Sequence, residues 1–413
     1  MSLLKSRLAF VGILSVAVTG SMFATESSYA AKAKAPTVTY KNLTSKDFNT
    51  SFSAMKALKP LVAKGKGKVA VILPDTVSST RWTEFDAPYL KDALKAAGLP
   101  SNDIIIQNAQ GSDSTFITDD QADITAGAKV IMITPVDSAT GDTVEQADVK
   151  AGVKTIDYDR LTLGGATTDK YYVSFDNVKV GQLEGSGLVS CVAAWKVSNP
   201  MVIVNHGSAT DNNATQFATG YFDELNPKFN GGGWTDLEGA NGFLPGTWDP
   251  PTAETQFQQA FTAHPTANAT LTANDATAAA IITYLQQQGV KPNTFPTTGQ
   301  DASLPGLQNI ISGYQCGTVY KPVFLEAQAA TALAMYLRAG VKPPSSLIAG
   351  GTTLDSVANV QIPSVLETPE WVTAATIEKT VVKDKFVPAS QICAGAPPTG
   401  PTYAADCATY KIK

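Results

Sequence analysis

The chain has 413 residues, of which 44% are hydrophobic and 16% charged, and its formal net charge is -5. This length is long for a single core and suits two domains. The negative charge argues against a nucleic-acid partner, which needs a basic patch. With only two histidines, the composition argues against a histidine-based metal site or catalytic triad, and we predict no cofactor.

The N-terminus has the pattern of an export signal. Lys5 and Arg7 precede a short apolar segment at 8–18, and residues 28–30 (Ser-Tyr-Ala) match a small-residue cleavage site. The apolar segment is shorter than the ~20 residues that a membrane-spanning helix needs. We therefore predict that residues 1–30 are a signal peptide and that the mature protein is exported, periplasmic or extracytoplasmic, and soluble. No cysteine lies near the cleavage site, so we do not expect a lipoprotein.

Residues 31–66 are polar and lysine-rich, with a predicted helix at 53–63, and form an extension before the fold. After it, short β-branched apolar runs alternate with segments of helical spacing, which is typical of a parallel sheet covered by helices. The predicted strands of this first part are 69–73, 103–107, 130–135 and 153–156. The predicted helices are 82–97, 119–126 and 144–151, each followed by a glycine that fits a helix end.

The alternation restarts after Asn177. The predicted helices are 178–195, 213–226, 251–263 and 276–288, and the predicted strands are 201–205, 234–238, 269–273 and 317–320. A long predicted helix at 323–339 returns to the first lobe. We predict an α/β fold with two lobes, each a parallel sheet flanked by helices, and a ligand cleft at the carboxyl ends of the strands. The predicted N-terminal lobe is 67–175 plus 322–362, and the C-terminal lobe is 176–321 plus 363–413.

Four cysteines allow three disulfide pairings. Export makes disulfides plausible. Proximity favours Cys393 with Cys407 across a Gly/Pro-rich loop, which leaves Cys191 with Cys316. The alternative is four buried free thiols.

Polar and aromatic residues collect where the predicted strands end. Asp159 and Arg160 follow the fourth strand, and such a pair can bind vicinal hydroxyls, because a carboxylate accepts several hydrogen bonds and a guanidinium donates several in a fixed fork. The other candidate residues are Arg81, Trp82, Asn213, Trp248, Asn274, Asp275, Asp301 and Lys321. Flat rings stack on the C–H faces of a pyranose, so this mixture indicates a sugar site.

These residues lie in eight short motifs. The motifs are Arg81-Trp82, Tyr158-Asp159-Arg160, 174–181, 210–213, Trp248 ahead of a proline, 274–277, 299–302 and 319–322. In this order they resemble the sugar-binding periplasmic proteins of ABC importers, most closely the D-xylose-binding proteins. The resemblance covers roughly residues 68–392, and the extension, the cysteines and the tail depart from it.

The resemblance implies the type I periplasmic-binding fold, a two-lobed clamp that closes on its ligand like a Venus flytrap. Trp82 and Trp248 would sandwich the sugar ring. The other contacts would come from Arg81, Asp159 and Arg160 in the first lobe, from Asn213, Asn274, Asp275 and Asp301 in the second lobe and hinge, and from Lys321. Asn212 is a less certain neighbour, and Asn274-Asp275 could also cap the helix that follows.

The resemblance implies a non-catalytic, monomeric receptor that captures a monosaccharide and delivers it to an ABC permease, with D-xylose as the favoured ligand. Glucose, arabinose and ribose stay open as ligands, as does a chemoreceptor as second partner. The rival hypothesis is a secreted glycoside hydrolase with Asp159 and Asp301 as its carboxylates, but neighbouring cations would keep both ionised and poor as acids. A repressor's sugar-sensing core shares the fold, but the export signal and the absence of a basic helix-turn-helix argue against it.

Overall fold

The computed structural model describes residues 38–166, 168, 170–238, 246–348, 351–394 and 401–413. The predicted signal peptide, residues 1–30, lies outside them, as does most of the Gly/Pro-rich tail loop. No helix in the described ranges has the length and apolar character to cross a membrane.

Strands occupy the following described residues: β1 (Lys68–Leu73), β2 (Ile104–Asn108), β3 (Ala128–Ile133), β4 (Lys154–Tyr158), β5 (Tyr171–Phe175), β6 (Met201–Asn205), β7 (Thr235–Asp236), β8 (Ala269–Thr272), β9 (Thr318–Tyr320), β10 (Thr352–Asp355), β11 (Val360–Glu367) and β12 (Glu370–Val372). Helices occupy α1 (Lys59–Lys64), α2 (Ala87–Ala97), α3 (Asp113–Thr125), α4 (Ser138–Ala151), α5 (Asn177–Ala194), α6 (Asn212–Phe229), α7 (Pro250–Ala263), α8 (Asp275–Gln287), α9 (Leu304–Ile311), α10 (Val323–Arg338), α11 (Ser345–Ile348), α12 (Ala389–Ala394) and α13 (Pro401–Thr409). A π-helical turn at Trp82–Asp86 leads into α2.

The N-terminal lobe contains a sheet whose order, among the described residues, is β10-β11-β5-β4-β3-β1-β2. All its neighbouring strands pair in parallel except β10, which pairs antiparallel with β11. The alternating residues of β1 separate the two layers of core. Val69 and Val71 pack with α2 and α10, whereas Ala70 and Ile72 pack with α3 and α4. Burial on both faces explains why β1 is a continuous apolar run.

The C-terminal lobe repeats this arrangement on a smaller sheet. Strands β7, β6 and β8 are parallel in that order, and β9 pairs antiparallel with β12 beside them. In β6, Val202 and Val204 pack against α5 and α6, whereas Ile203 packs against α7 and α8. The α/β fold with helices on both faces of parallel sheets is therefore confirmed.

The chain crosses between the lobes after β5, after β9 and after β11. The first crossing enters α5 and the second enters α10, which packs in the N-terminal core as the sequence predicts. The predicted boundary at 362 lies inside β11, which pairs with β5 as far as Glu367. The structure therefore places the third crossing at the end of that strand. A proline in β11, Pro363, hid this strand from the sequence pattern.

The extension belongs to the N-terminal lobe. Leu43, Met55, Leu58 and Leu61 are buried in the same core as α10. The side chain of Gln328 on α10 also donates a hydrogen bond to the carbonyl of residue 49 (2.9 Å). Segment 38–66 is therefore a part of the lobe's hydrophobic core.

Two disulfides are formed. Cys191 on α5 pairs with Cys316 before β9, and Cys393 on α12 pairs with Cys407 on α13. This confirms the pairing that proximity favoured, and none of the four cysteines is free.

Candidate ligand-binding site

Side chains from both lobes meet in a cavity at the carboxyl ends of the parallel strands. The lining residues are Ser78, Ser79, Arg81, Trp82, Asp159, Arg160, Asp211, Asn213, Phe217, Trp248, Asn274, Gln300, Asp301 and Lys321. The predicted site residues are brought together here, with the exception of Asp275. We refer to this cavity as the cleft.

The guanidinium of Arg81 contacts three carboxylates at the base of the cleft. Nε and Nη2 donate to Asp86 (2.8 and 2.7 Å), Nη1 donates to Asp159 (2.6 Å), and Nη2 donates to Glu326 (2.7 Å). Burial raises the pKa of Glu326 well above its usual range, although Arg81 opposes this shift. Only one of the five guanidinium N–H groups is left for a ligand. Arg81 therefore mainly holds the Asp159 carboxylate in place.

Asp159 has a backbone conformation that few residues other than glycine adopt, with φ of 64°. Its carbonyl accepts hydrogen bonds from Tyr172 Oη (2.9 Å), Ser174 Oγ (2.8 Å) and Asn213 Nδ2 (2.8 Å). Three donors thus stabilise a strained turn, and the last of them comes from the second lobe. The turn fixes the direction in which the carboxylate faces the cleft.

Trp82 forms the wall of the cleft in the first lobe. Its indole Nε1 donates to Ser78 Oγ (3.0 Å). The guanidinium carbons of Arg81 and Arg160 lie 4.6 and 5.4 Å from the ring centroid, within the range of a cation–π contact. Arg160 is itself held by the carbonyl of Pro135 (3.2 Å). These contacts fix the plane of the ring.

Trp248 forms the facing wall in the second lobe. Its indole Nε1 donates to Asp211 Oδ2 (3.0 Å), and its ring meets Phe217 edge-on at 6.3 Å. A Cβ atom at Gly207 would lie 2.1 Å from the Trp248 ring, so a glycine is required there. Asp211 also forms an ion pair with Arg160 of the first lobe (3.1 Å). The carboxylate of Asp211 thus connects Trp248 to Arg160 of the opposite lobe.

The hinge side of the cleft carries an ion pair. Lys321, next to the second crossing, lies 2.9 Å from Asp301. Burial alone would raise the pKa of Asp301, but the charges of Lys321 and Arg81 and the hydrogen bonds from Lys321 and Ser79 outweigh it, so that the pKa is lowered. Asp301 therefore stays ionised and acts as a hydrogen-bond acceptor.

Two further hydrogen bonds connect the lobes directly. Ser79 Oγ donates to Asp301 Oδ2 (2.7 Å), and Asn274 Nδ2 donates to the carbonyl of Ser78 (2.8 Å). The cleft volume is about 20 Å³, which holds one or two water molecules and is too small for a pyranose. The structure is thus a closed conformation, and a sugar enters only when the lobes separate.

Asp275 lies outside the cleft. Its carboxylate accepts hydrogen bonds from the backbone of Ser303 (2.8 Å) and from the side chains of Gln315 (2.8 Å) and Thr318 (3.1 Å). These bonds join the start of α8 to α9 and β9. Asn274, rather than Asp275, caps α8 through the amide of Thr277 (2.9 Å). Asn212, the less certain neighbour, does not line the cleft either.

The residue-by-residue prediction missed five residues of the cleft: Ser78, Ser79, Asp211, Phe217 and Gln300. Asp211 and Gln300 lie inside motifs that the sequence analysis had identified, so their positions could have been found. Phe217 follows Asn213 by one helical turn, which is a weaker signal. Ser78 and Ser79 have no distinctive pattern. In the described part of the chain, no group of three or more His, Cys, Asp or Glu side chains could hold a metal ion.

The fold and the cleft define a two-lobed solute receptor. Residues 69–342 match the family model described as the periplasmic binding protein domain, and this chain belongs to that family. Proteins of this family and the structural neighbours are binding proteins, and the two relatives described next are periplasmic.

Two curated relatives match along most of their length. The D-xylose-binding periplasmic protein of Escherichia coli (strain K12) is 32% identical over 326 residues, which are 77% of this chain and 90% of the relative. The multiple sugar-binding periplasmic receptor ChvE of Rhizobium radiobacter is 29% identical over 343 residues, or 81% of this chain and 94% of the relative. The chain is thus similar to receptors of both narrow and broad described ligand range.

Solved structures agree with this assignment. A carbohydrate transporter solute binding protein from Chloroflexus aurantiacus, in complex with D-glucose, has 27% identity and a TM-score of 0.68, covering 78% of this chain and 97% of that one. An ABC transporter solute binding protein from Clostridium phytofermentans with bound β-D-glucose has a TM-score of 0.70 over 78% of this chain and 99% of that one. At 23% identity, the second likeness shows the fold alone.

Proposed function

We propose that this protein is an extracytoplasmic receptor that captures a neutral monosaccharide and delivers it to an ABC-type permease. D-xylose is the sugar that we favour. The observation that carries the proposal is the cleft itself. Two tryptophans from opposite lobes face it, and between them lie ionised and amide groups whose positions are fixed by buried partners. Such groups bond hydroxyls, and rings stack on the C–H faces of a sugar.

Closure is the step that would give the receptor its selectivity. The ligand must replace the direct bonds from Ser79 to Asp301 and from Asn274 to the carbonyl of Ser78 that now join the lobes. A sugar with a misplaced hydroxyl leaves one of these buried groups unpaired, at a cost of about 1–3 kcal/mol. The ligand shifts an open–closed equilibrium because it bonds both lobes only when they are closed.

The choice of D-xylose rests on the relatives. A protein described as D-xylose-binding is 32% identical over 77% of the chain. A second relative is described as binding multiple sugars, and a neighbouring structure holds D-glucose, so glucose, arabinose and ribose are the alternatives. The cleft residues predicted from the sequence are part of the same proposal.

A thermal-shift screen of the purified mature protein against monosaccharides, followed by calorimetry, tests the proposal. We expect D-xylose to raise the melting temperature by several degrees and to bind with a stoichiometry of one. The sugar should be recovered intact. Absence of a shift with every monosaccharide would contradict the ligand class while leaving the fold untouched.

Glycoside hydrolysis is the alternative activity. A retaining or inverting hydrolase needs one carboxyl group that stays protonated as the acid. Asp159 is ion-paired with Arg81, and the pKa of Asp301 is lowered, so neither suits that role. Incubation with aryl xylosides should therefore release no phenol.

A further inference from the structure

A stack of two aromatic rings joins the lobes outside the cleft. Phe85 belongs to the π-helical turn at Trp82–Asp86 in the first lobe, whereas Phe386 lies in residues 373–388, which follow β12 in the second lobe. The two ring centroids are 3.8 Å apart, with an interplanar angle of 19°, and both side chains are buried. Neither residue lines the cleft. We call residues 373–388 the strap.

The strap is anchored in the second lobe. Its Ile377 is fully buried in the same hydrophobic cluster as Leu307 of α9. A polar contact adds to this packing, since Asp384 of the strap accepts a hydrogen bond from Tyr320 Oη at the end of β9 (3.2 Å). The ring of Phe386 thus has a fixed position in the second lobe, and a change in the angle between the lobes changes its contact with the first lobe.

Two rings that contact Phe386 belong to sequence neighbours of cleft residues. Phe85 follows Trp82 by three residues in the same π-helical turn. Tyr320, whose ring meets Phe386 edge-on at 5.0 Å, directly precedes Lys321. Because a helical turn and a strand end are stiff, a shift of either ring also moves the cleft residue beside it. Phe386 therefore contacts the supports of both cleft residues.

The ring stack differs from the hydrogen bonds that join the lobes inside the cleft. The Ser79–Asp301 and Asn274–Ser78 bonds must be broken when a sugar enters, since its hydroxyls take their place. The stack lies outside the cleft, so it stabilises the closed form with or without a sugar. Separation of the two rings on opening would expose apolar surface to water and lose the favourable ring contact.

We propose that Phe386 is a positioning residue for sugar capture: from the strap it keeps Phe85, and with it Trp82, in the closed arrangement and slows the opening that releases the ligand. Tyr89 on α2 gives it a second ring contact with the first lobe, at 6.4 Å. The inference rests on the proposed function for its ligand, whereas its effect on closure does not require a sugar.

Stopped-flow measurement of D-xylose dissociation, followed by tryptophan fluorescence, tests this role. We expect Phe386→Leu to raise the dissociation rate about fivefold, the usual effect of losing one aromatic pair. Phe85→Leu should raise the rate similarly. The double variant should dissociate no faster than the faster single variant, because both substitutions remove the same contact. The control Leu307→Ala, in the same cluster on α9, should lower the melting temperature without changing the rate.

A sugar-free measurement keeps this test separate from the test of the proposed function. Small-angle scattering of the free protein should give a larger radius of gyration for Phe386→Leu than for the wild type or Leu307→Ala. If D-xylose binds the wild type, the proposal is overturned by an unchanged dissociation rate in Phe386→Leu, or by an equal rise in Leu307→Ala. If D-xylose does not bind, the proposed function loses its favoured ligand, and an unchanged radius of gyration in Phe386→Leu then overturns the role of Phe386.

Discussion

Individual side chains in the cleft are positioned by partners that the ligand does not need to touch. Trp248 shows this most clearly. Its ring packs over Gly207 and its nitrogen is fixed by Asp211, yet the residue is only partly buried. It packs at the edge of the lobe's core rather than inside it, so we expect its role in binding to be separable from any role in folding.

We expect Trp248→Ala to weaken sugar binding by at least tenfold, ~1.4 kcal/mol, because one face of the sugar loses its stacking partner. The melting temperature of the sugar-free protein should change little. Calorimetry and thermal unfolding of Trp248→Ala measure the two effects, with Trp234→Ala as a control outside the cleft. Equal losses of affinity and stability in Trp248→Ala would place the residue in the core instead.

Variants at Asp301 and Asp275 compare a carboxylate that lines the cleft with one that lies outside it. Asp301→Asn removes the counter-charge of buried Lys321, so we expect roughly 3–5 kcal/mol of lost stability together with lost sugar affinity. Asp275→Asn disturbs the bonds to Ser303 and Gln315 and should lower stability without a direct effect on the sugar. Denaturant unfolding and calorimetry on both variants compare them. A larger affinity loss in Asp275→Asn would restore its predicted place in the site.

The contrast between these two aspartates shows what sequence could predict at this scale. The motifs located Asp159, Arg160 and Asp301 at the ends of strands, and the structure brings all three to one cavity. Neighbouring residues in a motif point in different directions, however, and no periodicity reveals that Asp275 faces α9. The positive φ of Asp159 also depends on three donors that are distant in sequence or in the other lobe.

Among the elements, those with strong periodicity were predicted and those with polar or interrupted sequences were not. Strand β6 matches its prediction at both ends. Helices α3 and α4 begin six residues before the predicted 119 and 144, because Ser112 and Asp137 cap polar first turns that contain no apolar pattern. Strands β11 and β12 pair with the distant strands β5 and β9, so local sequence carries little signal for them.

The two disulfides close loops of very different length. Cys191–Cys316 closes a separation of 125 residues, whereas Cys393–Cys407 closes one of 14. Chain entropy predicts stabilisation of about 4–5 kcal/mol for the former and about 3 kcal/mol for the latter. We expect the double serine variant at 191 and 316 to lose more unfolding free energy than the one at 393 and 407 in denaturant titrations. The reverse order would mean that the Cys393–Cys407 disulfide stabilises the protein by more than its loop length predicts, through the packing of α13.

The histidine that follows strand β6 should make the stability of the protein depend on pH. His206 follows the strand directly, contacts Tyr221 on α6, and burial lowers its pKa to about 4. The folded-state pKa is below the unfolded value of about 6.5, so the stabilisation is present above pH 6.5 and lost as the pH falls towards 4. The loss amounts to about 3 kcal/mol. This loss of stability should be absent in His206→Gln. It should be retained in the control His264→Gln, which changes the chain's other, partly exposed histidine. Denaturant titrations across this pH range measure the difference.

At the scale of the whole molecule, the lobes are joined by direct bonds as well as by three crossings. Ser79–Asp301 and Asn274–Ser78 are neutral-donor contacts, and Arg160–Asp211 adds a charged one. These contacts stabilise closure before any sugar binds. The affinity of the receptor therefore depends on how often the free protein opens, as well as on its contacts with the sugar.

Ser79→Ala tests this coupling. It removes one interlobe donor to Asp301, so the free protein should open more often and its radius of gyration in small-angle scattering should increase. Saturating D-xylose should return both the variant and the wild type to the same compact value, because the sugar bonds both lobes. Sugar affinity should rise by a few fold, ~0.5–1.5 kcal/mol, because the sugar no longer has to replace this hydrogen bond. If the radius of gyration responds neither to the substitution nor to the sugar, the two lobes form a rigid body, and selection by closure is excluded.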